Sequence, residues 1–463
     1  MRILIVAIAM SVLCLGGVRA GQFSAGRSGG SGPLPGQVIV DPKNGSYLVY
    51  NRDANGDGEL DPLFMIGPGD PEGFLYLGQR RSDGTREGGR QEAIIRRLAD
   101  LGGNGVYFQV VRSHGGDGPA DHNPWRDPAD PASGVNPDII RQWKGWFDAM
   151  REAGIILFLF VYDDGAHPFD DGCSETVGDA ERAFLRDLIN ELEGYPNLIW
   201  VVQEEFKFVG HSGERRPCDA ARISKAGAIA GLIKEFDDYD HPVGVHHNIG
   251  DPMAFPEHPA VDIYVQQAEV QPAKGRGNLD ALHAAGQPGS GFDPQHRYNY
   301  TMGEGYNWHP RLVAAGDRAM LRKSYYATAM AGGYVTVLGM FPTEEGAEPS
   351  DEMLRDMRKL QTFFESIPFN RMSPHDELRD GGTDWVLADP DHGRYVLYTH
   401  DDADALGVRS LRPGRYTLRW FDPAGGNEET LQGIEVSGNA LFKKPRAMGS
   451  EAILYVAPGV SGD

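Results

Sequence analysis

The sequence predicts an α/β chain: a (β/α)8 TIM barrel followed by a C-terminal all-β sandwich. Three observations carry this. Helical and strand patterns alternate with a steady beat from about residue 63 to residue 367. After about residue 371 the texture changes to short alternating strands broken by Gly, Pro and Asp. The 463 residues also exceed what one hydrophobic core usually serves.

The opening strand is read at Leu63–Ile66, before the Gly/Pro loop Gly67–Gly73. RQEAIIRRLADLGG is an amphipathic helix stopped by glycines, and Asn104–Val111 follows as the second strand. NPDIIRQWKGWFDAMREAG is a helix with Asn136 as its cap and Pro137 in its first turn. Ile155–Tyr162 is unbroken apolar sequence, the mark of a strand buried on both faces. The same alternation gives strands at Leu198–Gln203, Val243–His247, Val261–Gln267, Tyr298–Gly303 and Tyr334–Met340. SDEMLRDMRKLQTFFESI closes the barrel as a final helix, and GTDWVLADP, GRYVLYT, GRYTLRWFDPAGG and AILYVA supply the sandwich strands.

Before the barrel lie two segments of other character. Met1-Arg2, an apolar run and Val18-Arg19-Ala20 have the form of a cleaved secretory signal over residues 1–20. The apolar run is shorter than the roughly 20 residues that a membrane span needs. Residues 21–36 are Gly, Ser and Pro-rich and read as a flexible leader. The expected organisation is therefore signal 1–20, leader 21–36, barrel 37–370 and sandwich 371–463, in a secreted or periplasmic protein with no membrane attachment after cleavage. Loss of Arg2 and Arg19 with the signal leaves 42 of the 44 basic residues against 66 acidic ones. That excess argues against nucleic acid as a partner and suits a neutral substrate. Cleavage also leaves Cys173 and Cys218, an even pair in consecutive loops, expected as a disulfide.

A barrel presents its functional groups at the C-terminal ends of its strands. Those positions collect Arg112 and His114, then Tyr162, Asp163, Asp164 and His167, then Glu204 and Glu205. His246, His247, Asn248, Gln266, Gln267 and Glu269 follow, and then Glu304 with Tyr306, Asn307 and Trp308. Aromatics, amides, histidines and carboxylates at one mouth suit a carbohydrate, and two carboxylates can break a glycosidic bond. His114, Asp163, His246, Gln266, Tyr306 and Trp308 are candidate substrate contacts. His246 and His247 are adjacent on a strand and cannot both face inward, which counts against a metal site there.

Trp200 followed five residues later by Glu205 at the end of strand four, with Glu304 ending strand seven, resembles the large clan of retaining glycoside hydrolases. Within that clan, the chain looks most like the apiosidase-like group, which joins such a barrel to a C-terminal domain named for collagen binding. The motif GRYTLRWFDPAGG fits that second domain. The resemblance implies Glu205 as acid/base and Glu304 as nucleophile, with no organic cofactor. It also exposes a departure. The family places an Asn before the acid/base, against the hydroxyl next to the anomeric carbon, and this chain has Glu204. An ionised carboxylate there accepts a hydrogen bond but cannot donate one, which puts the 2-position of the sugar in question. The rival readings are a glycan-binding protein without turnover on the same scaffold, and a metal-dependent hydrolase.

One motif lies away from the mouth. Asp53, Asn55, Asp57, Gly58, Glu59 and Asp61 match the first nine places of a calcium-binding loop, but the twelfth place is Phe64 and no flanking helices are evident. It is a candidate for structural calcium; an acidic turn is the alternative.

Overall fold

The computed structural model describes residues 31–69, 73–113, 122–207, 218–248, 250–268, 276–287, 298–304, 317–338 and 350–459. Its centre is a closed barrel of eight parallel strands: β1 Ile66–Gly69, β2 Gly105–Val111, β3 Ile156–Tyr162, β4 Leu198–Gln203, β5 Val243–His247, β6 Ile263–Gln267, β7 Asn299–Glu304 and β8 Tyr334–Leu338. Each strand pairs with its neighbour in sequence, and β8 returns to β1. Between and after them run α1 Gln91–Leu101, α2 Pro137–Glu152, α3 Asp179–Leu192, α4 Asp219–Phe236, α5 Arg276–Ala285, α6 Arg318–Met330 and α7 Asp351–Glu365.

The local signals act as their chemistry dictates. The Asn136 side chain accepts from the Asp138 amide at 2.9 Å, with Pro137 opening α2. Asp317 and Ser350 cap α6 and α7 in the same way. Strands β2, β3 and β4 are buried along their whole length, as continuous apolar sequence between helices requires. Inside the barrel Tyr107 of β2 stacks on Phe160 of β3 at 3.9 Å between ring centres.

The opening strand needs a correction. It is Ile66–Gly69, whereas Leu63, Phe64 and Met65 pack in the core just ahead of it. Asn104 bridges that approach, accepting from the Ile66 amide at 2.9 Å and donating to the Phe64 carbonyl at 2.9 Å. A side chain at Gly67 would fall on the Gly105 carbonyl, so the glycine serves a close backbone approach. Gly-Pro-Gly looks like a loop by composition; here it is the strand itself.

The C-terminal region is one antiparallel network: β9 Ser373–Pro374, β10 Arg379–Gly381, β11 Trp385–Asp389, β12 Arg394–Thr399, β13 Ala405–Phe421, β14 Glu428–Lys443 and β15 Ala452–Pro458. The long strand β13 pairs with β10 through its first half and with β15 through its second, and its register shifts where it bends. A separate core gathers Val386, Leu397, Leu406, Trp420, Phe442 and Leu454. The opposite face packs on the barrel helices. Tyr398 stacks on Tyr326 at 5.0 Å, Trp385 on His283 at 4.7 Å and Phe421 on Phe363 at 5.5 Å. Buried Glu451 accepts from Arg322 of α6 and from Tyr398.

Candidate active site

The C-terminal end of β4 carries Glu204 and Glu205, both buried. The backbone turns sharply there, and Glu205 has a φ of +37°. That left-handed conformation is costly for a residue with a side chain, so neighbours must hold it. The Glu204 amide donates to the Tyr162 carbonyl at 3.0 Å, the Glu205 amide to His246 Nδ1 at 2.9 Å, and the Phe206 amide to the His246 carbonyl at 3.2 Å. Asn248 donates to Glu205 Oε2 at 2.8 Å, orienting the carboxyl group itself.

Glu204 turns toward β2. Tyr107 donates to its Oε1 at 2.5 Å, and Gln109 donates to its Oε2. Arg112 donates to Gln109 Oε1 at 2.7 Å, which fixes the direction of that amide. Burial raises the Glu204 carboxyl well above the usual carboxylate range, Asp164 adds to the rise, and Glu205 and Asp163 push the same way against the Tyr107 hydrogen bond. Glu204 therefore tends to keep its proton beside Glu205.

The paired histidines take opposite sides. The His246 ring lies 5.8 Å from Phe160 and 6.3 Å from Tyr107, inside the barrel. Burial depresses it to about 3, with His247 adding to the fall. His247 packs against Tyr264, Phe206 and Phe255, and its Nε2 accepts from the Ala254 amide at 3.1 Å. Burial takes it to about 4. Both rings are thus neutral at pH 7.

Glu304 is the last residue of β7, opposite Gln267 on β6, and a register shift just before it marks a bulge. Bulges commonly re-aim side chains beside active sites. Asp163 braces the loop after β2 and its own turn, accepting from the Ser113 amide at 2.6 Å and the Gly165 amide at 3.0 Å. Gln266 is buried near Asp251, to whose carbonyl it donates at 3.4 Å. His114, Tyr306 and Trp308 lie outside the described residues.

Cys173 and Cys218 form the expected disulfide, with Cα atoms 5.6 Å apart, tying the loop after β3 to the start of α4. Lys225 of α4 reinforces the tie by pairing with Asp170 and with Glu181 at 2.8 Å.

The acidic loop is organised around itself. Asp53 accepts from the amides of Gly56, Asp57 and Gly58, and Asp57 from that of Glu59. Glu59 pairs with Lys43 and Arg371, and Asp61 with Arg52. No group of three His, Cys, Asp or Glu side chains suited to hold a metal occurs among the described residues. These contacts are those of an acidic turn closed on itself.

Sequence reasoning missed Tyr107 and Gln109 as partners of Glu204. The signal was present: within the apolar strand Gly105–Val111 the two polar side chains stand two residues apart, hence on one face.

The chain is similar to solved structures. A glycoside hydrolase family 5 protein from Bacteroides vulgatus superposes with a TM-score of 0.66 at 14% identity, covering 93% of this chain and 94% of that one. A second protein, described as a glycoside hydrolase, gives 0.63 at 16% identity, covering 93% and 99%. The architecture is one that solved glycoside hydrolases share. No protein-family model and no curated protein matches the sequence. No helix among the described residues is long and apolar enough to cross a membrane.

Proposed function

We propose that the chain is a secreted retaining glycoside hydrolase. The observation that carries this reading is the preparation of Glu205: a carboxyl group on strained backbone at the barrel mouth, held by His246 below and oriented by Asn248. Strain at such a position is a recurrent property of functional sites. The strand that ends in Glu304 lies three places round the barrel. In this reading Glu304 attacks the anomeric carbon while Glu205 protonates the departing oxygen. Glu205 then takes a proton from water as it attacks the glycosyl-enzyme bond, releasing sugar with its configuration retained. The Trp200–Glu205 spacing and the tail motif support the apiosidase-like group, and the signal and the disulfide support secretion.

Glu204 gains a role from its proton. A neutral carboxyl has both a donor and an acceptor, as an asparagine amide does. Held by Tyr107 and Gln109, a neutral Glu204 acts as an amide substitute at the sugar's 2-position.

Glu304→Gln tests the reading. The variant should abolish hydrolysis of the polysaccharide or aryl glycoside that the wild type cleaves, yet still bind it. Turnover equal to wild type would remove Glu304 from the mechanism. A wild type that binds glycans and hydrolyses none across a broad panel would make the protein a lectin-like scaffold. A carboxyl separation of Glu205 and Glu304 near about 5–5.5 Å in a crystal would support retention, and about 6.5–9.5 Å would indicate inversion.

A further inference from the structure

The turn that carries Glu205 is held from two sides. The amides of Glu204, Glu205 and Phe206 donate to groups of β3 and β5, as described above. A charged group from α4 holds the other side. Arg222 is 4% exposed, and its Nη1 donates to the Phe206 carbonyl at 3.1 Å. Phe206 directly follows Glu205, whose φ of +37° is a conformation that relaxes unless its neighbours are fixed. A hydrogen bond from a charged donor is the stronger kind, and burial removes the water that would compete for it.

Arg222 is itself fixed in place. Its Nη2 lies 3.1 Å from His167 Nε2, in the loop after β3. A guanidinium offers donors only, so this imidazole nitrogen accepts, and a neutral His167 carries its proton on Nδ1. A Cβ added to Gly172 would sit 2.7 Å from Nη2 and 2.8 Å from His167 Cδ2. Glycine there leaves the room in which the two side chains meet. The Arg222 amide donates to the Cys218 carbonyl at 3.1 Å, one helical turn after the disulfide to Cys173. One guanidinium thus joins the loop after β3, the first turn of α4 and the end of β4.

We infer that Arg222 is a positioning residue for the glycosidic reaction: through the Phe206 carbonyl it holds the turn from which Glu205 presents its carboxyl to the leaving group. The inference rests on the glycosidase reading, in which Glu205 is the acid/base. Loss of Arg222 then falls on the step that needs a proton. An alkoxide departs only when protonated, whereas a dinitrophenolate departs without a proton.

Two variants test this. Arg222→Met keeps the apolar stem and removes every side-chain donor. Arg222→Lys keeps the charge but replaces the planar fork with one ammonium, which cannot serve the Phe206 carbonyl and His167 in the same geometry. Both are compared with wild type by kcat/KM on an alkyl and a dinitrophenyl glycoside of a sugar that the wild type cleaves. Arg222→Met should lose about tenfold on the alkyl glycoside and less than about twofold on the dinitrophenyl one. Arg222→Lys should lose about threefold on the first and less than about twofold on the second. Unchanged values on both substrates would overturn the inference, and so would equal losses on both, the pattern of packing alone. Should Arg222→Met fail to fold, the ratio of the two losses in Arg222→Lys decides. A wild type inactive on every glycoside defeats the glycosidase reading and the inference with it. An active wild type whose variants show no dependence on the leaving group defeats the inference alone.

Discussion

The Tyr107 hydroxyl meets Glu204 Oε1 at 2.5 Å, well inside the barrel and two strand pairings away from β4, across β3. Tyr107 and Gln109 together occupy both oxygens of Glu204, so this carboxyl is a fixed part of the site's floor. Its charge state then decides which substitutions it tolerates. Glu204→Gln preserves shape and neutrality and should retain activity to within about tenfold. Glu204→Asp withdraws the group from both partners and should lose far more. Steady-state kinetics on one glycoside compares them; a Gln variant as inactive as the Asp variant would show that the ionised form is needed.

A pH effect on stability follows from Glu365, at the C-terminus of α7. Burial pushes its carboxyl up from the ordinary 4.5 to about 7, against hydrogen bonds from the Phe64 amide and Gln361. The folded state therefore binds a proton that the unfolded state has released, and stability declines as pH rises from about 4.5 to about 7. Glu365→Gln removes that penalty while keeping an acceptor for Phe64. Above pH 7 it should stabilise the protein by about 2 kcal/mol, the partial exposure of the group reducing the full linkage value. At pH 4 it should change little. Urea unfolding at the two pH values measures the difference.

The disulfide closes a loop across 45 positions in sequence and joins the segments flanking β4. Replacing Cys173 and Cys218 by Ala together should cost about 3–4 kcal/mol. Unfolding of the wild type in the presence and absence of reductant should show the same loss. A double variant as stable as wild type would mean that Lys225, with Asp170 and Glu181, suffices to hold these loops.

The acidic loop at Asp53–Asp61 gives a sharp test of its turn-like geometry. Because its carboxylates already serve backbone amides, Lys43, Arg52 and Arg371, chelation by EDTA should leave the thermal midpoint unchanged. A midpoint that rose with millimolar calcium would show that Asp53, Asn55 and Asp57 re-aim around the ion.

The barrel was readable because its helices are amphipathic and its strands apolar, and these periodicities survive without knowledge of contacts. Cys173 and Cys218 were readable for a similar reason: consecutive loops of a barrel lie side by side. Three things were hidden. Strand β1 is built on Gly-Pro-Gly, which imitates a turn. Strand β14 alternates exposed and half-buried residues and so lacks the apolar signal of an inner strand. The orientation of Glu204 depends on Tyr107 and Gln109, nearly a hundred positions earlier, and no local pattern reports such a pairing. The acidic loop stays open between its two readings, since a metal motif and a self-bonded turn use the same residues.

The Tyr398–Tyr326 stack and the Arg322–Glu451 pair have a bearing on how this protein can be inherited and engineered. A module that recombines freely between genes must leave behind a surface that water accepts. Here, cutting the chain after α7 would uncover Tyr326 and take Glu451 from Arg322, leaving it only Asp356. The change of texture near residue 371 is thus a seam in the text but not in the material. Swapping in a foreign tail, or expressing the barrel by itself, should yield aggregates unless the helix face is redesigned with it.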